Sequence, residues 1–596
     1  MPKLKIVIGN VESQIQGPVD FNTSKAIGSS LSYMPDFAVW SPKYRSGQWD
    51  GLLNLWDWKR KTFPSGCLSR VASYITDHLG FEVVIDDQRD KPPRRREYVF
   101  NNTDPGDPTV PLNLFYFQEE AIKIAEKRTR GIFSFPTGTG KTITFTAIIA
   151  NLKVSPVLVF VPTRDLLYQT KTVIENMITE YGKPVSVGII GDGHVDIFDK
   201  DGTPKPIIVC IINSALCAYN LRYDPNKQKV IEDTRRRVGK EEQKELSPIQ
   251  ANRESIQWLI ENAPCIIADE AHRCASDMWK TILGKCKGAY YRLAFSATPY
   301  REDGRDLEIE SAFGKILIDM TLRRAIDEGF LVEPEIYFAK IYYDPEGAEF
   351  TRIYEEVDLD TGDVVQKETT QWVAIEDWSP KDVYKMLVVR NEELNNKIAA
   401  YTTKFNEEGL SVLILIGEKE HGRTLEEMIE GSVFACSDTP MKLRRQLVQD
   451  LKDKKLLTII ATSIANTGLD VPSLDVIILA AGGGREPDTS SRTKIPSINK
   501  ETQEFLAINN GPTKKRQTLQ DVASDDSGIF EQEFGSERKY GAVILQSIGR
   551  ALRSNRGRKT RAIIIDFDYV CRRMWKGSRV RKKIYTREGL KYKVIK

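Results

Sequence analysis

Residues 135–142 read FPTGTGKT, and they are where chemistry begins. Gly138 and Gly140 let a backbone curl until successive N–H groups face a phosphate. Lys141 then supplies a point charge for β- and γ-phosphates, and Thr142 a hydroxyl suited to Mg²⁺. Thr137 and Thr139 complete the loop. The strict form of this pattern opens with glycine, and Phe135 stands there instead. Far downstream, CIIADEAH at 265–272 is an apolar run ending in two carboxylates. Asp269 at its tip suits the Mg²⁺ shell, and Glu270 can orient and deprotonate an attacking water. Ser296, Ala297 and Thr298 follow the next apolar run. Phosphate loop, acidic pair and hydroxyl triplet together specify nucleotide hydrolysis, with ATP and Mg²⁺ as the expected ligands.

Such residues need strands to hold them at one edge. GIFSF precedes the loop and ITFTAIIANL follows it, which is strand–loop–helix. Over residues 112–337 the short apolar runs VLVFV, PIIVCII, CIIAD and RLAFS alternate with helical segments. Over 381–570 the alternation returns as SVLILI, LTIIAT, DVIILA and RAIIIDF. The expected fold class is α/β, with two doubly wound parallel-sheet lobes. A small α+β domain over 1–90 precedes them, with KLKIVIGN, LLNLWDW and FEVVID as strands and SRVASYITDHLG as a helix. Residues 91–111 read as a Pro/Arg/Asp-rich linker, 338–380 as the connection between lobes, and 571–596 as a basic tail. Two polar stretches, 221–253 and 484–540, read as insertions from loops.

Composition narrows the class. The chain has 596 residues, 41% hydrophobic and 28% charged, with a net charge of +3. No apolar run approaches the ~18 residues that span a bilayer, and the N-terminus lacks the apolar core of a secretory signal. Eight cysteines show no C-x-x-C pair, and the four histidines are scattered. A zinc site or a disulfide scaffold is therefore not expected, and a reducing cytoplasm is.

The order of motifs resembles that of superfamily 2 helicases, over about 112–570. LFYFQEEAI (114–122) is similar to the Q motif and VFVPTRDLLYQT (159–170) to motif Ia. DEAH (269–272) and FSATPYRED (295–303) are similar to motifs II and III. SVLILIGEKEHGRTL (411–425), IIATSIANTGLDVP (459–472) and QSIGRALR (546–553) resemble motifs IV, V and VI. The resemblance implies two RecA-like lobes with ATP between them. It implies that Phe117 and Gln118 meet the adenine, and that Gly468 and Asp470 meet the nucleotide from the second lobe. Arg550 and Arg553 would be arginine fingers for the γ-phosphate. His272, Ser296, Thr298 and Gln546 would couple hydrolysis to motion. Pro162, Thr163, Arg164 and Thr462 would touch the nucleic-acid backbone. Ile211, in IIVCIINSA (207–215), stands where the family carries threonine, which withdraws one expected phosphate contact.

Subtype comes from differences. DEAD-box RNA helicases carry DEAD and HRIGRTGR, and the RNA-processing DEAH group carries GETGSGKT and QRAGRAGR; this chain has neither set. YRSGQWDGLLNLWDW (44–58) ahead of a motor resembles the UvsW-like phage recombination helicases. Trp40, Trp49, Trp56 and Trp58 are interleaved here with cations, of which Lys59, Arg60 and Lys61 are the nucleic-acid candidates. The tail after Cys571 has eleven Lys/Arg against one acid, a further candidate surface. The resemblance implies a monomeric ATP-driven helicase that unwinds and branch-migrates forked or branched DNA in recombination, repair and replication, alongside proteins of those processes. An RNA-remodelling ATPase and an ATP-gated scaffold remain as alternatives.

Overall fold

A computed structural model describes residues 3–220 except Gly106, 247–297 except Ala275, and 305–462 except 358–363 and Ser437. It also describes 474–481, Ile548, Gly549, Leu552 and 561–595 except Arg572. Its described part divides into two compact units that meet in sequence at Thr321 and Leu322.

The first unit opens with a four-stranded sheet of β1 (Lys3–Ile8), β2 (Glu12–Gln16), β3 (Thr62–Pro64) and β4 (Glu82–Asp87), in the order β3-β2-β1-β4. Strict alternation in β1 sends Leu4, Ile6 and Ile8 inward, and Ile6 lies opposite Ile15 of β2. Helices α1 (Phe21–Ser30) and α2 (Leu68–Asp77) cover that face with Ile27, Val71 and Ile75. The predicted strand LLNLWDW is reduced to a two-residue ladder, Leu53–Asn54 against Ser32–Tyr33. Trp56 there turns inward and donates its indole N–H to Ser24 Oγ at 3.0 Å. Strand β2 has no counterpart in the sequence reading, because its one large apolar residue, Ile15, sits among polar ones.

Next comes an eight-stranded sheet. Its elements are α3 (Tyr116–Arg128), β5 (Arg130–Ser134), α4 (Lys141–Leu152), β6 (Val157–Val161), α5 (Arg164–Met177), β7 (Val187–Gly191) and β8 (His194–Asp196). They continue as β9 (Ile207–Ile211), β10 (Cys265–Asp269), β11 (Tyr291–Ser296), α6 (Asp306–Phe313) and β12 (Ile316–Asp319). The order is β8-β7-β9-β6-β10-β11-β5-β12, parallel except for β8. β6, β9, β10 and β11 are buried along their whole length, as strands covered on both faces must be. Strands β10, β11 and β5 are neighbours, so their C-terminal ends bring the acidic pair, Ser296 and the glycine loop to one edge.

The expected linker 91–111 is not free. Arg94 pairs with Glu126, Arg96 with Glu180 at 2.5 Å, and the N–H groups of Arg95 and Arg96 bond to Lys153 O. Tyr98–Phe100 pairs antiparallel with Ile178–Glu180. The N-terminal core also takes in Leu307, which lies at the start of α6. Residues 1–90 are thus packed onto the eight-stranded layer rather than tethered to it.

The second unit holds a seven-stranded, wholly parallel sheet. Its strands are β13 (Pro334–Ile341), β14 (Val412–Ile416), β15 (Ser432–Ala435), β16 (Thr458–Thr462), β17 (Val476–Leu479), β18 (Ala562–Tyr569) and β19 (Tyr592–Ile595). The order is β15-β16-β14-β17-β18-β13-β19. Two expected boundaries shift. Residues 334–341, read as the end of one lobe and the start of a connection, pair with β18 over eight residues, Pro334 with Ala562 through Ile341 with Tyr569. The expected tail forms helix α7 (Trp575–Arg587) and strand β19, and two of its cations pair with carboxylates of β18. Arg581 bonds both oxygens of buried Asp566 at 2.9 and 3.0 Å, and Lys582 reaches Asp568 at 2.6 Å. Between β13 and β14 the connection carries a long antiparallel hairpin, Gly347–Val357 with Val364–Ala374.

Candidate active site

The glycine loop takes the shape its composition predicts. Gly138 and Gly140 have φ of 97° and 84°, the left-handed region that favours glycine. A Cβ on Gly140 would come within 2.7 Å of Gln118 Nε2. Lys141 and Thr142 open α4, whose N-terminal amides and dipole favour an anion. Thr139 Oγ1 donates to Pro136 O at 2.9 Å and so shapes the loop. Thr137 Oγ1 is buried with no partner among the described residues. Phe135, the departure from the strict pattern, is fully buried in an aromatic cluster, 5.1 Å from Phe117 and 6.3 Å from Phe295 between ring centroids. It fastens the loop to the core where glycine would only bend it.

Asp269 is 3% exposed at the end of β10 and accepts the Glu270 N–H at 2.9 Å. Burial, and next the charge of Glu270, lifts its carboxyl to about 7, against the pull of Lys141 and that N–H. A buried carboxylate so raised is one that a divalent cation would return to its charged form. Glu270 has φ 54°, a strained backbone for a residue with a side chain, and the turn swings it out of the strand line into partial exposure. The orphaned Thr137 hydroxyl, the cradle at Gly140 and the raised Asp269 fit a nucleotide phosphate with Mg²⁺. Thr142 and Asp269 are the residues that would hold the metal, which when bound would neutralise charge on the phosphate oxygens.

Other expectations divide. His272 Nδ1 lies 3.3 Å from Ser296 Oγ and 3.3 Å from Glu270 Oε2, so motifs II and III meet at one imidazole. Phe117 is buried at 1% among Phe115, Tyr116 and Phe135, and the partly exposed rings beside it are Phe115 and Tyr116. Gln118 is also internal. Its Nε2 donates to Thr139 O at 3.1 Å, and its Oε1 accepts the Phe115 N–H at 2.9 Å. The glutamine therefore clamps the phosphate loop to the start of α3.

Among the nucleic-acid candidates, Thr163 caps α5 by accepting the Leu166 N–H at 3.4 Å, and Pro162 precedes it, half-buried. Arg164 is exposed but paired with Asp192, whose other oxygen accepts from Tyr168 OH at 3.1 Å. Asp192 was invisible to motif reading; the signal was its place in the turn GDG between two short strands. Thr462, 8% exposed, ends β16. Arg60 pairs with Glu12 at 2.9 Å, Lys61 Nζ bonds Gly17 O at 3.1 Å, and Lys59 lies over exposed Trp58. Thr298, Gly468, Asp470, Gln546, Arg550 and Arg553 lie outside the described residues, as do most of 221–253 and all of 484–540. Among the described residues no helix is long and apolar enough to cross a membrane.

Residues 111–301 match the family described as "Type III restriction enzyme, res subunit". The chain is 28% identical to putative helicase 22 of Sulfolobus islandicus filamentous virus over 238 residues, 39% of each chain, so the match spans well under half of that relative. It is 23% identical to the DNA 3'-5' translocase XPB2 of Sulfurisphaera tokodaii, covering 63% of this chain and 76% of that one. The crystal structure of T4 UvsW aligns with 99% of both chains at 14% identity and a TM-score of 0.39, too low for the superposition to carry weight by itself.

Proposed function

We propose that the chain is a superfamily 2 motor, an ATP-dependent DNA helicase and translocase acting on branched recombination or replication intermediates. The observation that carries the reading is the convergence of Lys141, Asp269, Glu270, His272 and Ser296 on one sheet edge. In it Lys141 and the α4 amides bind and orient the phosphates. Glu270, on its strained turn, takes the proton of an attacking water, and His272 reports the change to Ser296. Arg550 and Arg553 belong to this scheme as fingers from the second lobe. DNA rather than RNA is supported by the DNA translocase activity named for XPB2. The test is ATPase and unwinding over single-stranded, duplex, forked and four-way DNA with structured RNA as control. Strongest stimulation by RNA, or none by branches over duplex, would overturn the assignment.

A further inference from the structure

Resting on that reading, we propose that Glu308 is a coupling centre through which the N-terminal ladder of Ser32–Tyr33 with Leu53–Asn54 governs ATP turnover, with Tyr33 as its positioning residue. Glu308 stands on α6, the next described helix after Ser296 in sequence, and is 1% exposed. Tyr33 OH donates to its Oε1, and Lys280 Nζ donates to the same oxygen at 3.0 Å. Arg305 Nε stands 3.9 Å away. Lys280 lies on the helix Asp277–Lys285, just downstream of Glu270 and His272, and Arg305 immediately precedes α6, downstream of Ser296 in sequence. One buried carboxylate thus ties together segments downstream of motifs II and III and a phenol of the N-terminal region.

Tyr33 is joined in turn to the candidate DNA element. Its backbone pairs with Leu53, and Ser32 with Asn54, immediately before Trp56–Lys61. The surrounding interface is stiff. Arg70 forks onto Glu310 at 3.1 and 2.5 Å, and a Cβ on Gly66 would lie 2.0 Å from Glu310 O. Asn10 O accepts from Arg130 at 2.9 Å and from Arg292 at 3.5 Å, at the roots of β5 and β11. A load applied to the 53–61 element has few ways to dissipate, and the Tyr33–Glu308 bond leads it to both catalytic segments.

The test uses the full chain carrying Tyr33→Phe, which removes one hydroxyl. ATPase is measured without DNA and with saturating duplex or fork, together with fork affinity. Basal turnover and fork affinity should stay within about twofold, while the fork's stimulation of kcat falls at least about fivefold. Full retention of fork stimulation overturns the proposal, and so does a basal rate that falls in the same proportion, the mark of a merely structural contact. Lys280→Met provides a second variant should the first fold poorly, and it should reproduce the loss. Combined with Tyr33→Phe it should add little; additive losses would overturn a shared route. If the wild-type ATPase ignores DNA altogether, the helicase reading fails and the coupling fails with it.

Discussion

Two buried aspartates, one in each unit, show how the same side chain becomes site or scaffold. Asp269 closes β10 and Asp566 lies within β18, both in parallel sheets, and burial raises the carboxyl of each. Asp566 receives Arg581 at 2.9 and 3.0 Å, Tyr585 OH at 2.9 Å and the Phe567 N–H at 2.7 Å. Asp269 accepts, among the described residues, the Glu270 N–H. A saturated carboxylate has no capacity left for a ligand. The unsaturated one keeps its acceptors for what arrives from solution, at a cost in stability that the surrounding sheet absorbs.

The largest effect should come from emptying the site. Lys141→Ala should lower ATP hydrolysis at least about 10³-fold, measured as steady-state turnover with DNA, because the loop loses its phosphate-neutralising charge. Glu270→Gln should cut turnover by about 10²–10⁴ while nucleotide affinity stays within about threefold, measured by a fluorescent nucleotide titration. Loss of binding with it would mean that Glu270 has been given the wrong role.

The aspartates can then be set against each other directly. Asp566→Asn leaves Arg581 buried beside a neutral group and should cost about 3–5 kcal/mol in chemical denaturation. Asp269→Asn should abolish hydrolysis yet leave the chain no less stable than the parent. Equal destabilisation by both would erase the distinction.

His421 offers the gentlest probe. It is fully buried, bonds Asn395 Oδ1 through Nε2 at 2.8 Å, and burial pushes its pKa down to about 4. Its folded value lies below the unfolded 6.5, so the stabilisation is complete above pH 6.5 and drains away as pH falls towards 4. The loss is at most ~3 kcal/mol. His421→Gln should flatten the stability profile across that window; an unchanged slope would remove His421 as its source.

Much of the fold was legible because buried parallel strands write themselves as unbroken apolar runs: VLVFV, CIIAD and SVLILI all fall where strands lie. The residues that gather at the edge of the eight-stranded sheet were legible because the chemistry they suit tolerates few substitutes. Contacts that reuse ordinary residues were not. Gln118 reads as a base-binding amide but faces the loop, and nothing local marks Glu308 as the partner of a tyrosine 275 positions away. The tail misled for a related reason, since Arg581 and Lys582 look like surface charge until Asp566 and Asp568 are seen across from them.

The position of β13 between β18 and β19 has a consequence for synthesis. The eight-stranded sheet has its last strand by Asp319, whereas β13 emerges by Ile341 and must wait for partners that end at Tyr569 and Ile595. At ordinary elongation rates that delay is on the order of 10–50 s. Throughout it an apolar strand stands on the nascent chain with both edges open, a template for pairing with neighbouring chains. Expression at high ribosome load should therefore fail first through the second unit, whose sheet can close only when nearly all of it has been made.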